Sequence, residues 1–205
     1  EYYRSMFADP HGSWNLRDRH MADTLDRLVA HLERSPGKGK VVVWAHNSHV
    51  GDSRATEMGD RGEFTLGRFA RERHGGDVVL VGMTTHRGHV TAATDWGMPG
   101  LRRKVRPTLE GSVEHLLHSA GLPAFTLIPE AGSSLHARLA QHRLERAIGV
   151  VYRPQSERES HYRWARPADE FDAIVHIDET NALEPLERTP EWHGGEPPET
   201  YPTAL

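Results

Sequence analysis

The stretch Lys40-Val41-Val42-Val43-Trp44-Ala45-His46-Asn47-Ser48-His49-Val50-Gly51 decides how the rest of the chain reads. Its five consecutive apolar residues, Val41 to Ala45, predict a short strand buried on both faces. The strand leads directly into His46 and His49, and histidine is the side chain that changes charge nearest neutral pH. Open α/β sheets bind ligands just beyond the carboxyl ends of their strands. The order of residues therefore predicts that His46 and His49 stand at the rim of a cleft.

Working outward, strand and helix patterns alternate. Before the histidine stretch, Met21, Leu25, Leu28, Val29 and Leu32 recur at helical spacing and predict a helix over 15–34, capped by Asn15 and closed by Ser35-Pro36-Gly37. After it, Phe64–His74 reads as a helix, Asp77–Met83 as a buried strand, and His89–Thr94 as a further strand beyond a turn at Arg87-Gly88. The Gly- and Pro-bearing stretch 95–107 reads as a loop. Ser112–Ala120 is expected to be helical, with Ser112 as cap and Gly121 as stop. A strand over 124–128, a helix over 135–146, a strand over 148–152 and a last strand over 172–177 complete the series. This alternation predicts an α/β fold, a three-layer α/β/α sandwich with a mostly parallel sheet that is incomplete in this chain. Residues 1–193 form the domain, and 194–205 read as a disordered tail.

Composition narrows the possible functions. A formal charge of −4 over 205 residues gives no basic surface for nucleic acid. The longest apolar run is about five residues, against the roughly 20 that a membrane-spanning helix needs. No nucleic-acid or membrane partner is expected. With no cysteine, thiolate metal sites and disulfides are excluded, and a cytoplasmic location is expected.

The histidines admit more than one chemistry. If a helix or turn opens after Ala45, rings three residues apart project to the same side. One could take a proton from water while the other polarises a carbonyl or steadies an oxyanion, with Asn47 as a hydrogen-bond donor between them. A bland alternative has one ring capping backbone groups and the other packed in the sheet. Ser48 is a poor nucleophile for a strained elbow, because the positions two before and two after it are His46 and Val50 rather than glycine. A zinc shared by His46 and His49 would need a third ligand, such as Glu57, Glu63 or His161 brought in by the fold.

Several segments taken in order resemble the erythromycin esterase family: Asn15-Leu16-Arg17-Asp18-Arg19-His20-Met21-Ala22, Trp44-Ala45-His46-Asn47-Ser48-His49, Ala55-Thr56-Glu57-Met58-Gly59, Val81-Gly82-Met83-Thr84, Thr91-Ala92-Ala93-Thr94-Asp95-Trp96, Ala147-Ile148-Gly149-Val150-Val151-Tyr152 and Phe171-Asp172-Ala173-Ile174-Val175-His176-Ile177-Asp178. Thr24 stands where relatives often have Asn, and Glu170 where Gln is common. The resemblance implies an α/β/α sandwich that hydrolyses a cyclic ester with activated water and no acyl-enzyme. It implies that His46 and His49 lie in the active cleft, and that a further Glu and His come from an amino-terminal half. The chain accordingly reads as the carboxy-terminal half of such a domain, with that other half as its partner.

The expected function is hydrolysis of a carboxylic ester or macrolactone, the chemistry of macrolide resistance. His46 acts as acid, base or oxyanion stabiliser, His49 assists, and Glu57 orients a histidine or water. Asn47, Arg54, Glu63 and His161 are expected to contact the small-molecule ester or lactone. No cofactor or metal is expected. A divalent-metal hydrolase using His46 and His49, and a non-catalytic binding module of the same fold, are the competing readings.

Overall fold

The computed structural model describes residues 10–34, 39–186 and 192. The expected helix stop at Ser35-Pro36-Gly37 and the expected tail over 194–205 lie outside the described residues. The elements in chain order are α1 (Pro10–Glu33), α2 (Asn47–Val50), α3 (Glu57–Asp60), α4 (Leu66–His74), β1 (Val81–Ala92), β2 (Leu101–Val105), α5 (Val113–His118), β3 (Ala124–Leu127), α6 (Ser134–Leu139), β4 (Arg143–Arg146), α7 (Glu157–Ser160), β5 (Tyr162–Ala165), α8 (Pro167–Glu170) and β6 (Ala173–Thr180). Strand order is β2-β1-β6-β3 in a four-stranded sheet, and β4 pairs with β5. β1 and β6 run parallel. Asp172 N donates to Leu80 O, and the same 92-residue offset recurs where Thr84 meets His176 and Gly88 approaches Thr180. β2 is antiparallel to β1, with Gly88 opposite Val105 and Ala92 opposite Leu101. The α/β class expected from the alternation is the one observed, with a mixed sheet.

The chain divides into two compact units, Glu1–Met83 with Phe125–Glu145 and Arg163–Val175, and Thr84–Ala124 with Arg146–Tyr162 and His176–Leu205. In the first, Ala22, Leu66 and Phe69 form a buried cluster joined by Met21, Leu25 and Phe64. Only the front of the predicted α1 stripe is used, since Leu28 remains exposed. Thr65 caps α4 by accepting from Arg68 N at 3.2 Å, a contact of a kind that stabilises a helix by about 1 kcal/mol. In the second unit, Ala92, Val105 and Tyr152 are the buried cluster, with Val90 and Ile148 against it. Ser112 caps α5 as expected, accepting from His115 N at 3.2 Å.

Several expectations are corrected. Lys40–Ala45 is not a strand: it joins no ladder, and Val42 and Trp44 are 88% and 85% exposed. β-branched residues favour a strand only when a neighbour takes their backbone groups. None of the described strands does so. Asn15 does not cap a helix. It lies inside α1, where its side chain donates to Gly62 O and accepts from Phe64 N. The turn at Arg87-Gly88 is absent, and the two short strands expected there are one twelve-residue strand, β1. Gly88 has φ 122°, and a Cβ on it would sit 2.1 Å from Thr180 O, so this glycine permits a close strand approach. The expected loop 95–107 contains β2. The helix expected over 135–146 ends at Leu139 and gives way to β4. The strand expected over 148–152 reduces to one parallel bridge, Ala93 with Val151.

Candidate functional site

The histidine stretch becomes a tight turn in the first unit. His46 is extended (φ −65°, ψ 150°) and is the N-cap of α2, its carbonyl accepting from His49 N and Val50 N at 2.8 and 3.1 Å. The helix therefore opens one residue later than the sequence suggested. Asn47 fixes the turn to the sheet. Its amide donates to Met83 O at 2.8 Å and accepts from Met83 N at 3.0 Å, occupying the two groups a neighbouring strand would use. From the other side, Thr65 Oγ1 donates to Gly51 O at 2.7 Å and accepts from Ser53 N at 3.2 Å. α4 comes so close that a Cβ on Gly67 would lie 2.0 Å from Val50 O.

Each histidine ring is held by a different kind of partner. The Nδ1 of His46 accepts from Ser48 N at 3.2 Å, and Ser48 Oγ lies 2.8 Å from the same atom. A backbone N–H can only donate, so Nδ1 is the acceptor and the neutral ring carries its hydrogen on Nε2. The Nδ1 of His49 lies 2.9 and 3.0 Å from the two oxygens of Asp18. A carboxylate can only accept, so here Nδ1 carries the hydrogen and Nε2 is the basic nitrogen. Asp18 is fully buried, and its Oδ2 also accepts from Leu66 N at 3.0 Å. The His49 ring stacks on Trp14 at 4.4 Å between centroids and 6° between planes. Arg17 approaches Nε2 of His49 to 3.5 Å and covers the Trp14 ring at 4.9 Å.

The other predicted site residues are placed as follows. Glu57 does not orient either histidine: its carboxylate binds Arg61 at 2.9 Å and accepts from Trp164 N at 3.1 Å. Asn47 is engaged with Met83 as described. Arg54 forks onto Asp52, with Nη2 2.6 Å from Oδ2 and Nε 3.0 Å from Oδ1. The carboxylate of Glu63 is 4.0 Å from Arg61 Nε, and its backbone N–H binds Met58 O. His161 belongs to the second unit. It is buried, Nε2 accepts from Arg153 N at 2.8 Å, and Nδ1 donates to Ala147 O at 3.2 Å. In this arrangement both ring nitrogens of His161 are occupied by backbone groups, and burial pulls its pKa below the usual histidine range. Glu157, in the same segment, is buried against Arg146 at 3.2 Å and accepts from the Tyr152 hydroxyl at 2.7 Å.

A cleft of about 580 Å³ in the first unit brings together Arg54, Arg71, Arg166 and His136 with Asp52, Glu130, Asp169 and Asp172. Of the predicted site residues Arg54 lines this cleft, and His46 and His49, expected at the rim of a cleft, do not. Among the described residues, no three His, Asp or Glu side chains are grouped to hold a metal ion. No described helix is long and apolar enough to cross a membrane.

Beneath the histidine turn lies a buried ionic group. Arg163 donates to Glu170 at 2.5 Å, to Glu145 at 3.3 Å and to the Met58 sulfur at 2.8 Å. Burial, and then the charge of Glu145, push the Glu170 carboxyl well above the ordinary carboxylate range, against the pull of Arg163. A Cβ on Gly51 would meet Glu170 Oε1 at 2.2 Å, so the turn rests directly on this carboxyl.

Sequence reasoning missed Trp14, Arg17 and Asp18. The signal was present in the Arg17-Asp18-Arg19-His20 segment, but a run of charged residues on a helix reads as a solvated face.

Known proteins share the sequence pattern and the fold. The sequence profile of a family described as erythromycin esterase matches residues 1–180. An erythromycin esterase type II from Escherichia coli is 27% identical over 116 residues, which are 54% of this chain and 27% of that protein. A solved succinoglycan biosynthesis protein superposes with a TM-score of 0.66 at 21% identity, covering 85% of this chain and 40% of the other. A mutant of the erythromycin esterase EreC in its open conformation superposes with a TM-score of 0.58 at 16% identity, covering 87% of this chain and 41% of the other. At these identities the solved structures carry the fold alone. The chain spans less than half the length of each of these relatives.

Proposed function

Because the chain belongs to the erythromycin esterase family, we propose that it forms the histidine-bearing part of a hydrolase that cleaves a carboxylic ester or macrolactone with activated water. The observation that carries this reading is the opposite tautomeric state of the two histidines. His46 accepts at Nδ1 from Ser48 N, so its Nε2 is a donor, suited to polarising a carbonyl or holding an oxyanion. His49 has Nδ1 against Asp18, so its Nε2 is an acceptor, suited to taking a proton from water. One donor and one acceptor, three residues apart on a pinned turn, divide the work that ester hydrolysis requires. In the reaction, water adds to the ester carbonyl as His49 takes its proton, and His46 steadies the resulting oxyanion. Collapse expels the alcohol oxygen, which receives the proton. No bond to Ser48 is formed.

Asn47 acts in this reading as the anchor of the turn rather than a substrate contact, since Met83 holds its amide. Arg54 is a candidate substrate contact through the cleft it lines.

The test is steady-state kinetics of His46→Ala and His49→Ala in the intact protein with activated esters and macrolactones. Each substitution should cut kcat by about 10²-fold or more, the range for a positioned acid–base group. Single turnover in ¹⁸O-water should place the label in the product acid. Near-normal turnover in both variants would remove the histidines from the mechanism. Binding without turnover in the wild type would identify a non-catalytic module.

A further inference from the structure

We infer that Asp18 is the positioning residue of His49: it sets which ring nitrogen carries the hydrogen and thereby makes Nε2 the proton acceptor. The inference deepens the hydrolase reading and rests on it for its kinetic consequence alone. Both Asp18 oxygens lie within 3.0 Å of Nδ1, and the carboxylate is buried while the imidazole reaches the surface. The carboxylate is itself fixed. Its Oδ2 accepts from Leu66 N, the first backbone donor of α4, so the carboxylate cannot swing away without stripping that buried N–H of its partner.

One further contact agrees with this assignment and a second holds the ring in place, although Arg17 also lies 3.9 Å from Asp18. Arg17 Nη2 approaches Nε2 of His49 to 3.5 Å. A guanidinium has donors and no acceptor, so that approach is favourable only when Nε2 holds a lone pair. Trp14 stacks flat on the ring, and its indole Nε1 donates to Phe64 O at 3.0 Å, which keeps the stacking surface in place. The imidazole is thus held at one edge by Asp18 and across one face by Trp14, leaving rotation about neither axis free. Trp14, Arg17 and Asp18 lie at i, i+3 and i+4 on one face of α1, so one helix supplies the whole support.

The experiment is long-range ¹H–¹⁵N NMR of the intact protein labelled at histidine, which reports the protonated nitrogen of a neutral ring without any substrate. In the wild type, His49 should carry its hydrogen on Nδ1. In Asp18→Asn, the amide oxygen should keep the bond from Leu66 N and turn its NH₂ toward His49, forcing the hydrogen to Nε2. The same variant should lose about 10²-fold or more in kcat while KM stays within a few-fold, because the ring is present but presents the wrong atom. A wild-type His49 that carries its hydrogen on Nε2 overturns the inference, and this measurement needs no variant to fold. An Asp18→Asn protein that keeps the Nδ1 hydrogen and its turnover also overturns it. The expected tautomers together with unaffected hydrolysis in His49→Ala would uphold Asp18 as the positioning residue and sink the hydrolase reading instead.

Discussion

Glu170→Gln should leave the protein at least as stable as the wild type at neutral pH and increasingly more stable as pH rises. Two carboxyl groups, Glu145 and Glu170, share one guanidinium, that of Arg163, and all three side chains are buried. With both acids ionised the group would carry an uncompensated negative charge in a poorly solvated place, which is strongly unfavourable. Among the described residues no donor reaches Glu170 Oε2, so a proton there costs no existing contact. A protonated Glu170 has the shape and neutrality of glutamine, and the glutamine amide can donate where the acid's hydroxyl would. The intrinsic cost of the substitution, read below the ordinary carboxylate pKa where the wild-type side chain is protonated folded and unfolded alike, should therefore stay within about 1 kcal/mol. Glu170→Ala, which leaves a cavity under Gly51 and strips Arg163 of a partner, should cost about 2–4 kcal/mol.

The pH dependence separates this account from simple packing. The Glu170 pKa is raised in the folded state, so between its unfolded and folded values the native protein binds more protons than the unfolded one. Stability from this group is present below the ordinary carboxylate pKa and is lost as pH rises through the folded value. The limiting slope is about 1.36 kcal/mol per pH unit for one proton. The Gln variant has no such proton to lose, so its stability relative to wild type should climb steadily with pH. Urea unfolding midpoints from pH 5 to 9 measure this directly. A Gln variant as unstable as the Ala variant at pH 7, or a wild-type-minus-variant difference that does not change with pH, would refute the argument.

Gly67→Ala should loosen the histidine turn, because the added Cβ would lie 2.0 Å from Val50 O and must push α4 away; urea unfolding should show a loss of about 1–3 kcal/mol, and ester turnover should fall with it. The second unit should weaken in acid. Burial lowers the pKa values of His86 and His176, so the unfolded chain binds more protons just below pH 6.5, and stability is lost as pH falls from there through the folded values. Hydrogen exchange of β1 and β6 amides between pH 7.5 and 5 should report the loss, and His86→Asn should reduce it; an unchanged acid limb in that variant would show that His86, stacked 3.6 Å from His118, does not contribute.

What could be read from the sequence was whatever depends on a local apolar pattern or a local cap. α4, α5, β3 and β6 fall near their expected places because a local cap such as Ser112 and short apolar runs suffice to mark them. What failed depends on partners far along the chain. β2 reads Leu-Arg-Arg-Lys-Val, with a charged interior, and becomes a strand because β1 offers it a ladder. The 135–146 pattern broke because Glu145 and Arg146 are buried by ion pairs and not by apolarity. Arg146 reaches Glu157, Thr85 O, His86 O and Arg106 O, and no periodicity count detects that. The candidate site divides in the same way. His46 and His49 were legible as two titratable side chains after an apolar run. Their partners Ser48 and Asp18 were not, since a side chain's partner is set by the fold, and Asp18 lies 31 residues before the ring it holds.

The tautomers follow from this difference in partner distance. His46 takes its partner from its own turn: any chain that begins a helix at Asn47 presents Ser48 N to the His46 ring, so that preference is local and survives partial unfolding. His49 takes its partner from α1, so its tautomer exists only while α1 and α4 are packed through Ala22, Leu66 and Phe69. Substitutions that loosen this packing, such as Phe69→Ala, should therefore abolish the acceptor function at His49 before they disturb the donor at His46. Partially destabilised variants should retain the Nε2-protonated His46 signal while the His49 signal averages between its two forms. The reverse order, with His46 averaging first, would mean that α1 is not what holds His49.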